Sequence, residues 1–128
     1  MTLLRTLTVA LALAALSLPA AASARHGGND GKTASGSCTK NATSKLKVKA
    51  DNGRLETEFE VDQNRNGVKW NVTLKRNGKV ASKGTARTHA PSGSFSFNRR
   101  LANGAGKDRV SARAKSSSGE VCTASLSF

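Results

Sequence analysis

Tyrosine is absent from these 128 residues, tryptophan occurs once and phenylalanine four times. Stacking on unpaired bases needs exposed rings. By strand alternation Phe59, Trp70, Phe95, Phe97 and Phe128 all face inward, so no such platform is expected. Histidine is nearly as scarce. Two cysteines and two distant histidines offer no zinc-ligand spacing, so no metal site is expected. Catalysis needs a nucleophile, a base and a group that orients the base. His26 stands in a polar N-terminal stretch and His89 just before Ala90-Pro91, and the many serines fall in turns or at outward strand positions. No "GxSxG", "HExxH" or "GxxxxGK[ST]" occurs. The chain is expected to be no enzyme and to use no cofactor. Long apolar runs are also lacking, apart from one at the start.

That run belongs to a leader. Arg5 supplies the basic n-region, "LTVALALAALSL" the apolar core, and Ala22-Ser23-Ala24 a small-residue cleavage site. Residues 1–24 therefore read as a cleaved secretory signal peptide. The apolar core is short for a membrane span and ends at Pro19, which disfavours an uncleaved anchor. Residues 25–37, "RHGGNDGKTASGS", are Gly/Ser-rich and without period, and read as a flexible tail. The rest, 38–128, is one domain's worth. Two cysteines in an exported chain imply one disulfide, Cys38–Cys122, tying the start of the domain to its last strand. Asn41-Ala42-Thr43 and Asn71-Val72-Thr73 match the glycosylation sequon, which is informative only in a host that glycosylates secreted chains.

"SKLKVKADNGRLETEFEVD", residues 44–62, carries the clearest local signal. Asn-Gly suits a two-residue type I′ turn, whose central residues both need φ > 0. With Asn52-Gly53 as that turn, Lys49, Lys47 and Lys45 face Glu56, Glu58 and Glu60 on one side. Ala50, Val48 and Leu46 face Leu55, Thr57 and Phe59 on the other. The opposite charges reinforce the register. A cation-binding stripe along Glu56, Glu58, Glu60 and Asp62 is the weaker reading, because lysines stand opposite.

Beyond this hairpin the period is two almost everywhere and never 3.6. Val68, Trp70, Val72 and Leu74 alternate with polar residues, as do Phe95 and Phe97, then Val110, Ala112 and Ala114, then Cys122, Ala124, Leu126 and Phe128. In "KRNGKV" a three-residue loop, Arg76–Gly78, is expected, because it pairs Leu74 with Val80 and sets Trp70 over Gly84. "APSG" at 90–93 is a turn around Pro91. "SSG" at 117–119 closes a last hairpin that pairs Ala114 with Cys122 and Val110 with Leu126. Seven short, evenly spaced strands with a Trp on the third describe an all-β, two-sheet sandwich with one disulfide.

The run "LANGAGKDRVSARA", residues 101–114, is similar to the corner entering the sixth strand of an immunoglobulin or fibronectin III-type domain. Over residues 38–128 the chain resembles these domains in architecture. It departs from antibody-type members in having Val110 where many carry a corner tyrosine, and in placing no cysteine on the second or sixth strand. The leader, "GSC", "APSGSF" and "SGEVCTA" together also resemble small exported actinobacterial proteins of unknown function. In such a sandwich the third, sixth and seventh strands share a sheet.

What the chain has in excess is positive charge: 21 Lys and Arg against 8 Asp and Glu. The 44–62 hairpin, with four bases and five acids, nearly neutralises itself, so the excess lies elsewhere. It serves solubility, or it holds an extracellular polyanion such as a cell-wall polymer, acidic polysaccharide, anionic lipid surface or DNA. The resemblance implies where: Lys69, Lys75, Arg109, Arg113 and Lys115 project from one sheet face. The alternative is a protein-binding or inhibitor module using the loops at 62–67 and 99–107.

Overall fold

The structure, a computed structural model, describes residues 31–128. The expected leader and the first residues of the expected tail lie outside this range. Nine strands run in order: β1 Lys32–Ser35, β2 Ser37–Cys38, β3 Thr43–Asp51, β4 Arg54–Asp62, β5 Lys69–Arg76, β6 Lys79–Arg87, β7 Ser94–Ala102, β8 Arg109–Ser116 and β9 Val121–Ser127. They form two antiparallel sheets, β1-β3-β4-β7 and β2-β9-β8-β5-β6. There is no helix among the described residues.

The β3–β4 hairpin forms as its sequence dictates. Asn52 and Gly53 take φ of 49° and 73°, and the pairs Lys45–Glu60, Lys47–Glu58, Lys49–Glu56 and Leu46–Phe59 fall in register. Leu46, Val48, Leu55, Phe59 and Val61 are fully buried while the lysines and glutamates stay outside. The charged partners align without closing. The three ion pairs among the described residues join Arg76 to Asp108, and Arg100 to Asp51 and Glu56.

The core lies between the sheets. Trp70, wholly buried, packs 5.9 Å from Phe95 and donates its indole N–H to Gln63 Oε1 at 3.2 Å. Leu74, Val72, Val110, Ala112 and Ala114 close it from the five-stranded side. Burying each large apolar side chain stabilises the fold by roughly 1.5–3 kcal/mol. Cys38 and Cys122 stand directly opposite on β2 and β9, 4.1 Å apart at Cα, and are bridged. The last hairpin pairs Ala114 with Cys122 and Val110 with Leu126, as expected.

Three expectations need correction. There are nine strands, not seven, because β1 and β2 occupy residues 32–38, most of which read as tail. These residues carry no alternating apolar pattern; the backbone holds them at the sheet edges. The chain crosses from one sheet to the other at Gly36, whose N–H donates to the Ser44 carbonyl at 2.8 Å. A Cβ there would run into Ser44 Oγ and the Thr123 carbonyl, so only glycine fits.

The turn between β5 and β6 is also not the expected one. Asn77 and Gly78, with φ of 51° and 80°, make a two-residue loop that pairs Arg76 with Lys79 and Lys75 with Val80. Val80 consequently points outward and is 52% exposed. A bulge at Ala81 then sets Leu74 opposite Ser82, Val72 opposite Gly84 and Trp70 opposite Ala86. The space at Gly84 is taken by Phe97, which leans across from the other sheet: an added Cβ would lie 2.7 Å from its ring. Arg99 covers the same edge, its guanidinium 3.9 Å from the Phe97 ring centre and its Nε donating to Ser82 Oγ. Finally, half of the expected loop at 99–107 is strand, since Arg99 to Ala102 belong to β7.

Candidate functional site

The sites proposed from sequence converge on the outer face of the five-stranded sheet. Lys69 and Lys75 project from β5, and Arg109, Arg113 and Lys115 from β8, all exposed. Two further cations, Lys83 and Arg87 on β6, share the face, because Lys83 stands opposite Thr73 and Arg87 opposite Lys69. Sequence reasoning left them out, although the Asn77-Gly78 hairpin that attaches β6 to β5 was itself the signal.

Around these cations the surface is hydroxylated. Ser37, Thr73, Ser111, Thr123 and Ser125 line a shallow depression of about 830 Å³ rimmed by Lys75, Lys83, Arg109 and Arg113. Arg109 donates to Ser125 Oγ at 3.2 Å, and its backbone N–H to Asn77 Oδ1 at 2.8 Å. None of the face's cations meets a carboxylate within 4 Å among the described residues.

The acids are elsewhere. Asp51, Glu56, Glu58, Glu60 and Asp62 all sit on the β3–β4 hairpin of the opposite sheet. Asp108 and Glu120 are buried. Glu120 accepts the backbone N–H groups of Lys40 and Ala42, which fastens the connection from β2 to β3. Asp108 joins two turns. Its Oδ1 accepts from Arg76 Nε at 2.9 Å and Asn77 Nδ2 at 3.1 Å, and its Oδ2 from the Gly104 N–H at 3.2 Å. Asn103, with its amide nitrogen turned to the carboxylate, adds a contact at 3.0 Å. Burial, the largest single influence, pushes the Asp108 carboxyl up. The Arg76 and Asn77 hydrogen bonds, the Arg76 charge and the Gly104 N–H outweigh it and hold the carboxyl below the usual range.

Among the described residues one further cluster of potential ligands occurs. Cys38, Glu120 and Cys122 lie close enough to share an ion, but both sulfurs are spent in the disulfide. His89 is exposed, at a bridge to Ser94, and His26 lies outside the described residues. The two loops considered for a protein partner lie at opposite ends of the fold. Asp62 pairs with Ser94 at one end of β4, and Arg54 with Ala102 at the other. Nine residues of strand put the loops about 27 Å apart, too far to act as one compact contact.

No family model, curated protein or solved structure matches this chain. Its function has to be argued from the faces themselves.

Proposed function

We propose that this is a secreted, non-enzymatic binding domain of the immunoglobulin-like class that holds an extracellular polyanion on its five-stranded sheet. Strands β3 to β9 support the fold assignment. Their first, second and fifth members share one sheet, and the fourth, third, sixth and seventh the other, which is the fibronectin III arrangement. The observation that carries the binding reading is the segregation of charge. Lys69, Lys75, Lys83, Arg87, Arg109, Arg113 and Lys115 share a face with no side-chain carboxylate, while every exposed acid of the described residues lies on the other sheet. Solubility alone is served by interspersed signs; a one-sign face attracts counter-charge over a Debye length of about 8–10 Å. The face is open, hydroxylated and free of aromatics, so it reads charge and hydrogen-bond acceptors rather than rings.

The test measures binding to purified anionic polymers, DNA and anionic vesicles at low and high salt. Replacing Arg109, Arg113 and Lys115 by Glu is expected to abolish low-salt binding. Replacing Lys45, Lys47 and Lys49 by Glu is expected to weaken the fold by setting like charges opposite Glu56, Glu58 and Glu60. Unchanged binding in a folded triple variant of the first set would reduce the basic face to a solvated surface.

A further inference from the structure

The cations of the basic face are ordered along the strands, and their order specifies a ligand. The β5–β8 register gives five successive outward rungs: Asn77 beside Arg109, Lys75 opposite Ser111, Thr73 opposite Arg113, Asn71 opposite Lys115, and Lys69 beside Ser117. Each rung holds one cation and one Ser, Thr or Asn. Successive rungs are two residues apart, a step of about 6.6–6.8 Å. The seam thus repeats one positive charge and one neutral hydrogen-bonding residue over four steps, or about 27 Å.

We infer that this seam seats an extended polyol-phosphate chain of the poly(glycerol phosphate) type, running parallel to β5 and β8. This rests on the polyanion reading above and narrows it. An extended polymer backbone advances about 3.3–3.6 Å per three bonds, as the peptide chain itself does. A phosphodiester linked through three carbons has about six bonds between phosphorus atoms, so its charges recur at the same interval as the rungs. Each phosphate then meets one cation and, on every rung except that of Arg109, where the Asn77 amide is held by Asp108 and the Arg109 N–H, one neutral donor, the pairing that charge-assisted recognition favours. Polyphosphate, with about two bonds between phosphorus atoms, carries charges too close together to match. Single-stranded nucleic acid shares the six-bond repeat. Its bases would gain nothing here, because no outward residue of this sheet is aromatic.

The experiment titrates the full-length protein with poly(glycerol phosphate), polyphosphate and oligo(dT) at matched phosphate concentration over a range of salt. Five phosphate contacts predict a slope of log affinity on log salt near −3.5, so a threefold rise in salt weakens binding about fiftyfold. Lys75→Gln with Arg113→Gln removes two seam contacts, so the same rise costs only about tenfold. Lys83→Gln with Arg87→Gln takes the same charge from the flanking strand β6 and lowers the slope by less than half as much. Poly(glycerol phosphate) is expected to bind tightest of the three polymers. Equal losses from the two double variants, or polyphosphate or oligo(dT) binding as tightly, would overturn the seam while leaving a basic face that binds polyanions by charge. Failure of all the polymers to bind at low salt would remove the underlying reading as well.

Discussion

Replacing Asp108 by Asn tests how one buried carboxylate fastens the end of the fold where β5 turns into β6 and β7 passes to β8. The carboxylate accepts from Arg76, Asn77 and Gly104, and its residue is 2% exposed. Asparagine keeps the shape and one acceptor oxygen, but turns an amide N–H₂ toward groups that are themselves donors. Hydrogen bonds to a charged group contribute roughly 1.5–3 kcal/mol each. Arg76 is part-exposed and recovers water when its partner is lost, so the net cost should be about 2–3 kcal/mol. In a domain of about 100 residues that lowers Tm by about 10–20 °C. The pH dependence gives a sharper reading. Because the folded-state pKa lies below the unfolded value near 3.9, the carboxylate's contribution is complete above about pH 5 and is lost as pH falls through the folded value. The variant lacks it at every pH. Urea titrations from about pH 8 to pH 2, followed by the fluorescence of Trp70, should therefore give parent and variant midpoints separated by a constant gap down to about pH 5 and converging below pH 4. A gap that persisted unchanged to pH 2, or one below about 0.5 kcal/mol at neutral pH, would refute the reasoning.

Two further outcomes follow from the fold. Val80→Lys should leave the urea midpoint within about 0.5 kcal/mol of the parent, because Val80 faces solvent; the three-residue loop would bury that lysine opposite Leu74 at a cost of several kcal/mol. Alkylation of the denatured, unreduced protein should label no thiol, and the double variant Cys38→Ser, Cys122→Ser should lose up to about 4.5 kcal/mol, the chain-entropy value for a loop of 84 residues, read from the urea midpoint with and without reductant.

What could be read in advance depended on contrast between alternate positions. In β3 and β4 every inward residue but Ser44 and Thr57 is apolar and nearly every outward one charged, so a one-residue slip would invert both faces and the register was legible. The same held for β8 and β9, and hence for Arg109, Arg113 and Lys115. In β6, "KVASKGTAR", small residues stand on both sides, so alternation cannot choose between a two-residue turn with a bulge and a three-residue loop. The contact of Phe97, from the other sheet, with the space at Gly84 is long-range and equally invisible to alternation within β6. Strands β1 and β2 gave no signal, since an edge held by backbone hydrogen bonds requires no side-chain pattern. The seam was half visible. Alternation picks out its cations one strand at a time, but only the β5–β8 register reveals that each stands beside a neutral hydrogen-bonding residue.

The cystine also governs how the domain behaves under tension. Cys38 and Cys122 join the outermost strand of the five-stranded sheet to its neighbour, so a pull applied at Gly31 and Phe128 passes through the sulfur bridge and bypasses the chain between them. The 84 residues of that interval represent roughly 280–300 Å of extended length that stays locked while the bridge is intact. Under such a pull the oxidised domain could peel only its short terminal segments. The reduced one could pay out as a long tether, so oxidation state sets whether the domain is a stiff link or an extensible one.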